Sequence, residues 1–267
     1  MARANRHFLP GYIWHITHRC HKKEFLFKFS RDRKRWLAWL FQSKKRFGLS
    51  ILNYIVTSNH IHLLALDSGD GAISKSIQLI AGRTGQEYNL RKKRKGAFWE
   101  DRYHATAIQS GKHLIQCMAY IDLNMVRAGV VQHPSQWPFS GYREIQNPPR
   151  RNSLIDRKSL IDLYCAKDDA HLRTMSRETT EEVLVRNKMD RDAKWSESLA
   201  IGDRSYIEKT KEKLGTKGKG RKIRESGDAY LIREAQVPYK AHFRGEMGVF
   251  SSKNTHFWRQ DPLLSSV

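Results

Sequence analysis

Residues 49–66, "LSILNYIVTSNHIHLLAL", hold two β-patterned runs separated only by a short polar stretch around Ser58 and Asn59. Such a pair reads as two strands joined tightly, and tight joining forces antiparallel pairing. Successive side chains of a strand point to opposite faces. His60 and His62 therefore share one face, while Ile61, Leu63 and Ala65 share the other. Leucine or valine would pack more easily at both histidine positions. Two imidazoles at this spacing can hold one metal ion, and they are also what two half-buried, hydrogen-bonded histidines look like. With 12 histidines in 267 residues, a chance His-x-His arises about half the time. The rest of the chain has to supply partners.

The flanking segments define a frame for the hairpin. "YIWHITHR" (12–19) alternates and predicts a strand. "SRDRKRWLAWLFQSKKRFG" (30–48) predicts a helix, with Trp36, Leu37, Leu40 and Phe41 at helical spacing, Ser30 as N-cap and Gly48 as terminator. Residues 71–96 predict a second helix with Ile73, Ile77, Ile80 and Ala81 on one side, ending in the basic cluster from Arg91 to Lys95. "FWEDRYHATAIQ" (98–109) predicts a fourth strand, and residues 110–129 a helix capped by Ser110 and closed by Gly129. The order strand, helix, strand, strand, helix, strand, helix is the split β-α-β layout of ferredoxin-like and RRM-like α+β folds. It builds a four-stranded antiparallel sheet with helices on one face. After Pro148 and Pro149 the character changes to polar amphipathic helices. The chain thus divides into a domain over 1–145 and a mostly helical C-terminal extension over 150–267, with a basic, Gly-rich and mobile loop near 215–222.

Charge narrows the partners. Forty-nine Lys and Arg against 27 Asp and Glu leave a net charge of +22. Such a chain attracts polyanions, nucleic acid first and an acidic membrane surface second. There is no apolar run long enough to span a bilayer and no secretory h-region, which points to the cytoplasm, with association to the bacterial nucleoid. The three cysteines, Cys20, Cys117 and Cys165, are odd in number and widely spaced. They form no CxxC, which argues for a reducing compartment and against structural zinc.

The helix over 110–129 is the partner of the histidines. On a wheel of about 100° per residue, Asn124 falls about 40° and Arg127 about 20° from Tyr120, while Leu114, Met118, Ile121 and Met125 form the apolar side. A phenol, a carboxamide and a guanidinium thus line one stripe. A tyrosine hydroxyl can attack phosphorus, but an unperturbed pKa near about 10 makes it sluggish at neutral pH. A divalent cation on a phosphate oxygen compensates by withdrawing charge. His60, His62 and the Asn124 carbonyl form a mixed nitrogen and oxygen set suited to Mg²⁺ or Mn²⁺, and Arg127 can clamp a phosphate.

The blocks "MARANRHFLPGYIWHITHRCHKKEFLF", "TSNHIHLLA", "FWEDRYHATAI", "YIDLNMVRAGVV" and "WPFSGY" resemble those of the REP-associated tyrosine transposases. These are single-tyrosine HUH transposases, and the resemblance covers roughly residues 1–145. It implies a metal-dependent single-strand DNA endonuclease and strand transferase acting on hairpin-forming palindromes. It also implies His60 and His62 as the metal pair, Asn124 at the third-ligand position and Tyr120 as nucleophile. The product would be a 5′-phosphotyrosine and a free 3′-hydroxyl, with no nucleotide cofactor and a monomer or homodimer doing the work. His15 matches a recurrent family histidine, open as acid/base, extra metal contact or structural group. Arg3, Arg6, Arg19, Arg83, Lys92, Lys93, Arg94, Arg102 and Arg127 are the candidate contacts to single-stranded or hairpin DNA.

Two departures stand out. The family usually reads Asn-Pro-Val-Arg where this chain has Asn124-Met125-Val126-Arg127, so the helix is expected to run on. Ser58 replaces a common methionine. The competing readings are a replication initiator or relaxase, and a DNA-binding protein that kept the fold without the activity.

Overall fold

The computed structural model describes residues 8–186, 191–215, 218 and 220–233. In chain order the elements are β1 (Ile13–Arg19), α1 (Ser30–Phe47), β2 (Ser50–Val56), β3 (His60–Leu66), α2 (Ala72–Arg91), β4 (His104–Ile108), α3 (Lys112–Asp122) and α4 (Asn124–Arg127). There follow α5 (Gly141–Gln146), α6 (Arg157–Tyr164), α7 (Asp169–Val185), α8 (Lys194–Glu197), β5 (Ala200–Gly202), α9 (Arg204–Lys213), β6 (Lys222–Ser226) and β7 (Ala229–Arg233).

The hairpin forms as its pattern demands. Thr57 closes the turn, its N–H reaching the His60 carbonyl at 3.0 Å while its hydroxyl oxygen accepts from the His60 N–H at 3.1 Å. β3 lies between β2 and β1, antiparallel to both, and β4 flanks β1, so the first four strands stand in the order β2-β3-β1-β4. That is the split β-α-β arrangement. Thr17 of β1 faces His62 of β3.

Both faces of this sheet are covered. On the side carrying His18, Trp99 stacks on that ring at 3.9 Å, and its indole N–H donates to the Ala81 carbonyl of α2 at 3.0 Å. The opposite side, carrying His15 and His62, meets α3 through Tyr120 and α8 through Trp195. Trp36, Leu40, Ile16, Ile61 and Leu63 are among the fully buried residues of the core.

Four local expectations change. The extension is not only helical: β5 pairs parallel to β4, and β7 and β6 continue the same sheet to seven strands. "LAIG" and "AYLIR" are short, and such runs carry little periodicity to read. The fourth strand starts at His104, because Glu100–Arg102 form a bend and only Trp99 bridges back to Cys20. The helix over 110–129 starts at Lys112, on Gly111 in place of a Ser110 side-chain cap, and breaks at Leu123, whose ψ is 4°. Loss of the proline therefore does not let the helix run on. Likewise Ser30 is the first residue of α1 and makes no side-chain cap. Arg3 and Arg6 lie outside the described residues, as do Thr216, Lys217 and Lys219 of the expected loop. None of the described helices is long and apolar enough to cross a membrane.

One contact ties α3 to the sheet from below. Asn53 of β2 donates from Nδ2 to the Asp122 carboxylate at 2.9 Å, and its Oδ1 accepts from the Tyr54 N–H at 2.8 Å. Burial pushes the Asp122 carboxyl up to about 7, against the hydrogen bond from Asn53. Gly141 of α5 sits against this amide: a Cβ there would collide with Asn53 Oδ1 and stand 3.1 Å from the Tyr54 nitrogen. Gly141→Ala should cost about 1–3 kcal/mol of stability by overpacking. Gly82→Ala in α2, where nothing lies within 4 Å, should be neutral or stabilising by up to about 1 kcal/mol. Urea unfolding of both variants checks the pair; equal effects would contradict this packing.

Candidate active site

The site is built from two faces that the fold brings together, the inward face of β1 and β3 and the stripe of α3 and α4. His60 and His62 stand on β3 with ring centroids 5.0 Å apart. Tyr120 meets His62 edge to face at 5.9 Å and His15 at 6.2 Å between centroids. The Asn124 carboxamide donates from Nδ2 to His62 Nε2 at 3.0 Å and lines the same cavity as His60. The break at Leu123 turns Asn124 towards β3.

Hydrogen bonds fix how these rings are presented. Asn59 donates from Nδ2 to the Lys23 carbonyl at 3.2 Å, which leaves its Oδ1 to accept from His60 Nδ1 at 2.7 Å. The proton of a neutral His60 is then on Nδ1, and Nε2 is bare. His62 accepts from the Asn124 amide at Nε2, so that nitrogen is bare as well. Burial drives His60 down to about 4, helped by the charges of Arg19, Arg191 and Arg127. Burial also lowers His62 well below the usual histidine value, helped by His60 and His15. Both are neutral at physiological pH, the form that ligates a metal.

Tyr120 is held from two sides. The Arg127 guanidinium lies 4.1 Å from its ring centroid and donates to the Tyr120 backbone carbonyl at 2.7 Å, while the Trp195 ring lies at 6.0 Å. Burial raises the phenol above its ordinary value, opposed by Arg127 and Arg191. Burial in turn lowers the Arg127 guanidinium. Arg127 is therefore placed first as a lid and counter-charge on the tyrosine, with its cationic edge at the cavity.

His15 is fully buried beneath the pair. Its two ring nitrogens are engaged, Nε2 with His62 Nδ1 at 2.8 Å and Nδ1 with the Trp195 carbonyl at 2.8 Å. It offers no nitrogen to the cavity, so of its open roles the extra metal contact is set aside.

A cavity of about 670 Å³ opens over these groups. Its lining takes in His60, His62, Tyr120, Asn124 and Arg127 together with Arg19 and Arg102. The other basic candidates stand elsewhere. Arg83 packs over the Trp39 ring at 5.1 Å, Lys92 over Phe29 at 5.1 Å, and Arg94 pairs with Glu24 at 3.5 Å. Lys93 follows α2 with φ of 48°. Three participants were not read from the sequence. Asn59 was visible beside His60, whereas Arg191 and Trp195 gave no signal, because their positions depend on the extension folding back.

Among the described residues, no group of three or more His, Cys, Asp or Glu is placed to hold a metal. A cation here would have two bare imidazole nitrogens and one carboxamide, with its remaining positions left to phosphate and water. That donor set fits a divalent cation such as Mg²⁺ or Mn²⁺ and not a closed structural zinc.

Residues 10–124 match the family model described as "Transposase IS200 like". Among solved structures, a REP-associated tyrosine transposase bound to a REP hairpin is similar at 21% identity and a TM-score of 0.47, over 57% of this chain and 90% of that one. A provisionally assigned transposase from Deinococcus radiodurans R1 is similar at 14% identity and a TM-score of 0.33, over 45% of this chain and 95% of that one. No curated protein matches the chain.

The buried histidines give a signed pH dependence. His15 titrates at about 3 when folded, held down by burial against the bond to the Trp195 carbonyl, and near about 6.5 when unfolded. The unfolded chain therefore binds the extra proton. The stability is present above about pH 6.5 and is lost as pH falls, by about 2 kcal/mol at pH 5 for this one group. Between pH 7 and pH 5, in EDTA, wild type should lose about 2 kcal/mol more than His15→Gln. Parallel losses in urea unfolding would contradict a neutral buried imidazole.

Proposed function

We propose that this chain is a metal-dependent single-strand DNA endonuclease and strand transferase that acts on hairpin-forming palindromes through a 5′-phosphotyrosine intermediate. The observation that carries the reading is the convergence on His62: the Asn124 carboxamide meets its Nε2 at 3.0 Å while the Tyr120 and His60 rings stand 5.9 and 5.0 Å from it. In this reading residues 1–145 form the catalytic domain, and the part from 150 onward is an accessory element that completes the tyrosine's surroundings.

His60, His62 and Asn124 would hold the cation. When bound, it withdraws charge from a non-bridging phosphate oxygen and makes phosphorus more electrophilic. Arg19 and Arg102 in the cavity lining position the phosphate on either side of the scissile bond. Tyr120 Oη gives up its proton to cavity water and forms a bond to phosphorus. The bond from phosphorus to the 3′ oxygen breaks, and that oxygen takes up a proton to leave as a 3′-hydroxyl. Arg127, with its guanidinium 4.1 Å from the Tyr120 ring, offsets the phenolate charge that develops as the proton leaves. One phosphodiester is exchanged for one phosphotyrosine, so a second 3′-hydroxyl can reverse the step without ATP. Burial holds the phenol above its ordinary pKa in the free protein, and Arg127 and Arg191 oppose that shift.

Incubated with end-labelled single-stranded hairpin DNA and Mn²⁺, wild type should cleave and leave a covalent adduct, and Tyr120→Phe should do neither while binding as tightly. An adduct that survives Tyr120→Phe contradicts the nucleophile. Tight hairpin binding by wild type with no cleavage makes it a DNA binder without the activity. His60→Ala should abolish cleavage and change affinity by less than about threefold, since phosphate contacts dominate binding.

With a net charge of +22, binding should weaken steeply with salt. A site that neutralises about six phosphates loses about 10³-fold between 50 and 200 mM. A flat titration by fluorescence anisotropy would point to a partner other than nucleic acid.

A further inference from the structure

Three hydrogen bonds in sequence link the C-terminal part of the chain to the cavity. The Trp195 carbonyl accepts from His15 Nδ1 at 2.8 Å, His15 Nε2 meets His62 Nδ1 at 2.8 Å, and His62 Nε2 meets Asn124 Nδ2 at 3.0 Å. A carbonyl oxygen can only accept, so the proton of neutral His15 is on Nδ1 and its Nε2 is bare. The proton between the two rings is therefore on His62 Nδ1. Reading from the other end gives the same answer, because an amide N–H needs a bare Nε2 on His62. Both directions agree on one tautomer for each ring.

We infer that His15 is a positioning residue, locking His62 as the Nδ1–H tautomer with Nε2 bare towards the cavity, and that the main chain at Trp195 sets the lock. The usefulness of this arrangement rests on the metal reading given above. A ligating histidine whose other N–H is held keeps its ring orientation and its basicity. His60 has Asn59 for that purpose, next to it in sequence. His62 points into the fold and has a second imidazole instead, itself anchored 180 residues away.

The anchor is well made. Thr106 of β4 donates to the Ser198 carbonyl at 2.6 Å and approaches the Trp195 carbonyl at 3.2 Å, and His104 Nε2 meets the Ser198 carbonyl at 2.8 Å. The Ala107 N–H donates to the Leu199 carbonyl at 2.8 Å. Residues 195–199 are thereby clamped on β4, and the Trp195 carbonyl cannot swing away while β5 stays paired. The part of the chain beyond the family match thus supplies a group that the metal pair depends on.

The full-length protein, His15→Leu and His15→Gln decide the matter. Leucine removes both hydrogen bonds. Glutamine can accept from His62 with Oε1 and donate to Trp195 with Nε2. In metal-free wild type at pH 7.5, ¹⁵N NMR should report His62 with its proton on Nδ1; a proton on Nε2 overturns the inference. By Mn²⁺ EPR titration without DNA, His15→Leu should bind about 10–100-fold more weakly than wild type, and His15→Gln should recover most of the loss. Hairpin affinity in EDTA should stay within about twofold for both variants. Equal Mn²⁺ affinity in folded His15→Leu overturns the positioning role, and if that variant does not fold, the wild-type tautomer and the glutamine variant decide instead. A wild type that shows the Nδ1–H tautomer and binds no Mn²⁺ removes the metal reading while leaving the tautomer lock standing.

Discussion

The antiparallel pairing of β1 with β3, in the register that sets Thr17 against His62, is the constraint on which the rest depends. Side chains alternate with a period of two, so a slip of one residue would send His15 to the opposite face from His62. The register is enforced from both faces. Trp14 and Ile16 are buried on one side and His15 on the other, so a slip would exchange apolar side chains for an imidazole at two buried faces. Placing two histidines on a buried face costs solvation, which only fixed hydrogen-bond partners offset. Each imidazole in this group has such a partner: Asn59 for His60, His15 for His62, the Trp195 carbonyl for His15.

Electrostatics separates this cavity from an ordinary buried histidine cluster. Net positive charge surrounds it, and the three imidazoles stay neutral because burial and neighbouring arginines both oppose protonation. The neutral imidazoles lie inside a rim where Arg19, Lys23, Arg102, Arg127 and Arg191 outnumber Glu100, Asp101 and Glu197. The phenol shows the opposite balance. Its burial disfavours the phenolate, while Arg127 over the ring and Arg191 favour it.

The frame was legible because its signals are strong and local. Alternation in "YIWHITHR" and in "HIHLLAL", and helical spacing around Trp36 and Leu40, gave the strand and helix order that the structure has. The cluster of His60, His62, Tyr120 and Asn124 was legible as residue types, and the structure brings those four together. The break at Leu123 was not, since no proline or glycine marks it: Leu123 turns out of the helix by ψ alone. Nor was the sheet's growth to seven strands. β5 is three residues long and pairs parallel with β4 across a separation of more than 90 residues, a contact that no local pattern announces.

The same long-range contact explains why the two parts of the chain are hard to treat separately. Described residues on both sides of position 150 lie in one compact unit, and a single sheet runs through it. β5 brings the segment of Trp195 to Ser198 against β4, and that segment's carbonyls accept from His15, Thr106 and His104. Were β5 unpaired, the buried His15 N–H would lose its acceptor in an apolar setting, at about 1–3 kcal/mol. The ring would be free to turn away from His62. An extension that read as an appendage in sequence therefore acts as the wall of the cavity, and the order of the imidazoles depends on strand pairing at the far edge of the original four-stranded sheet.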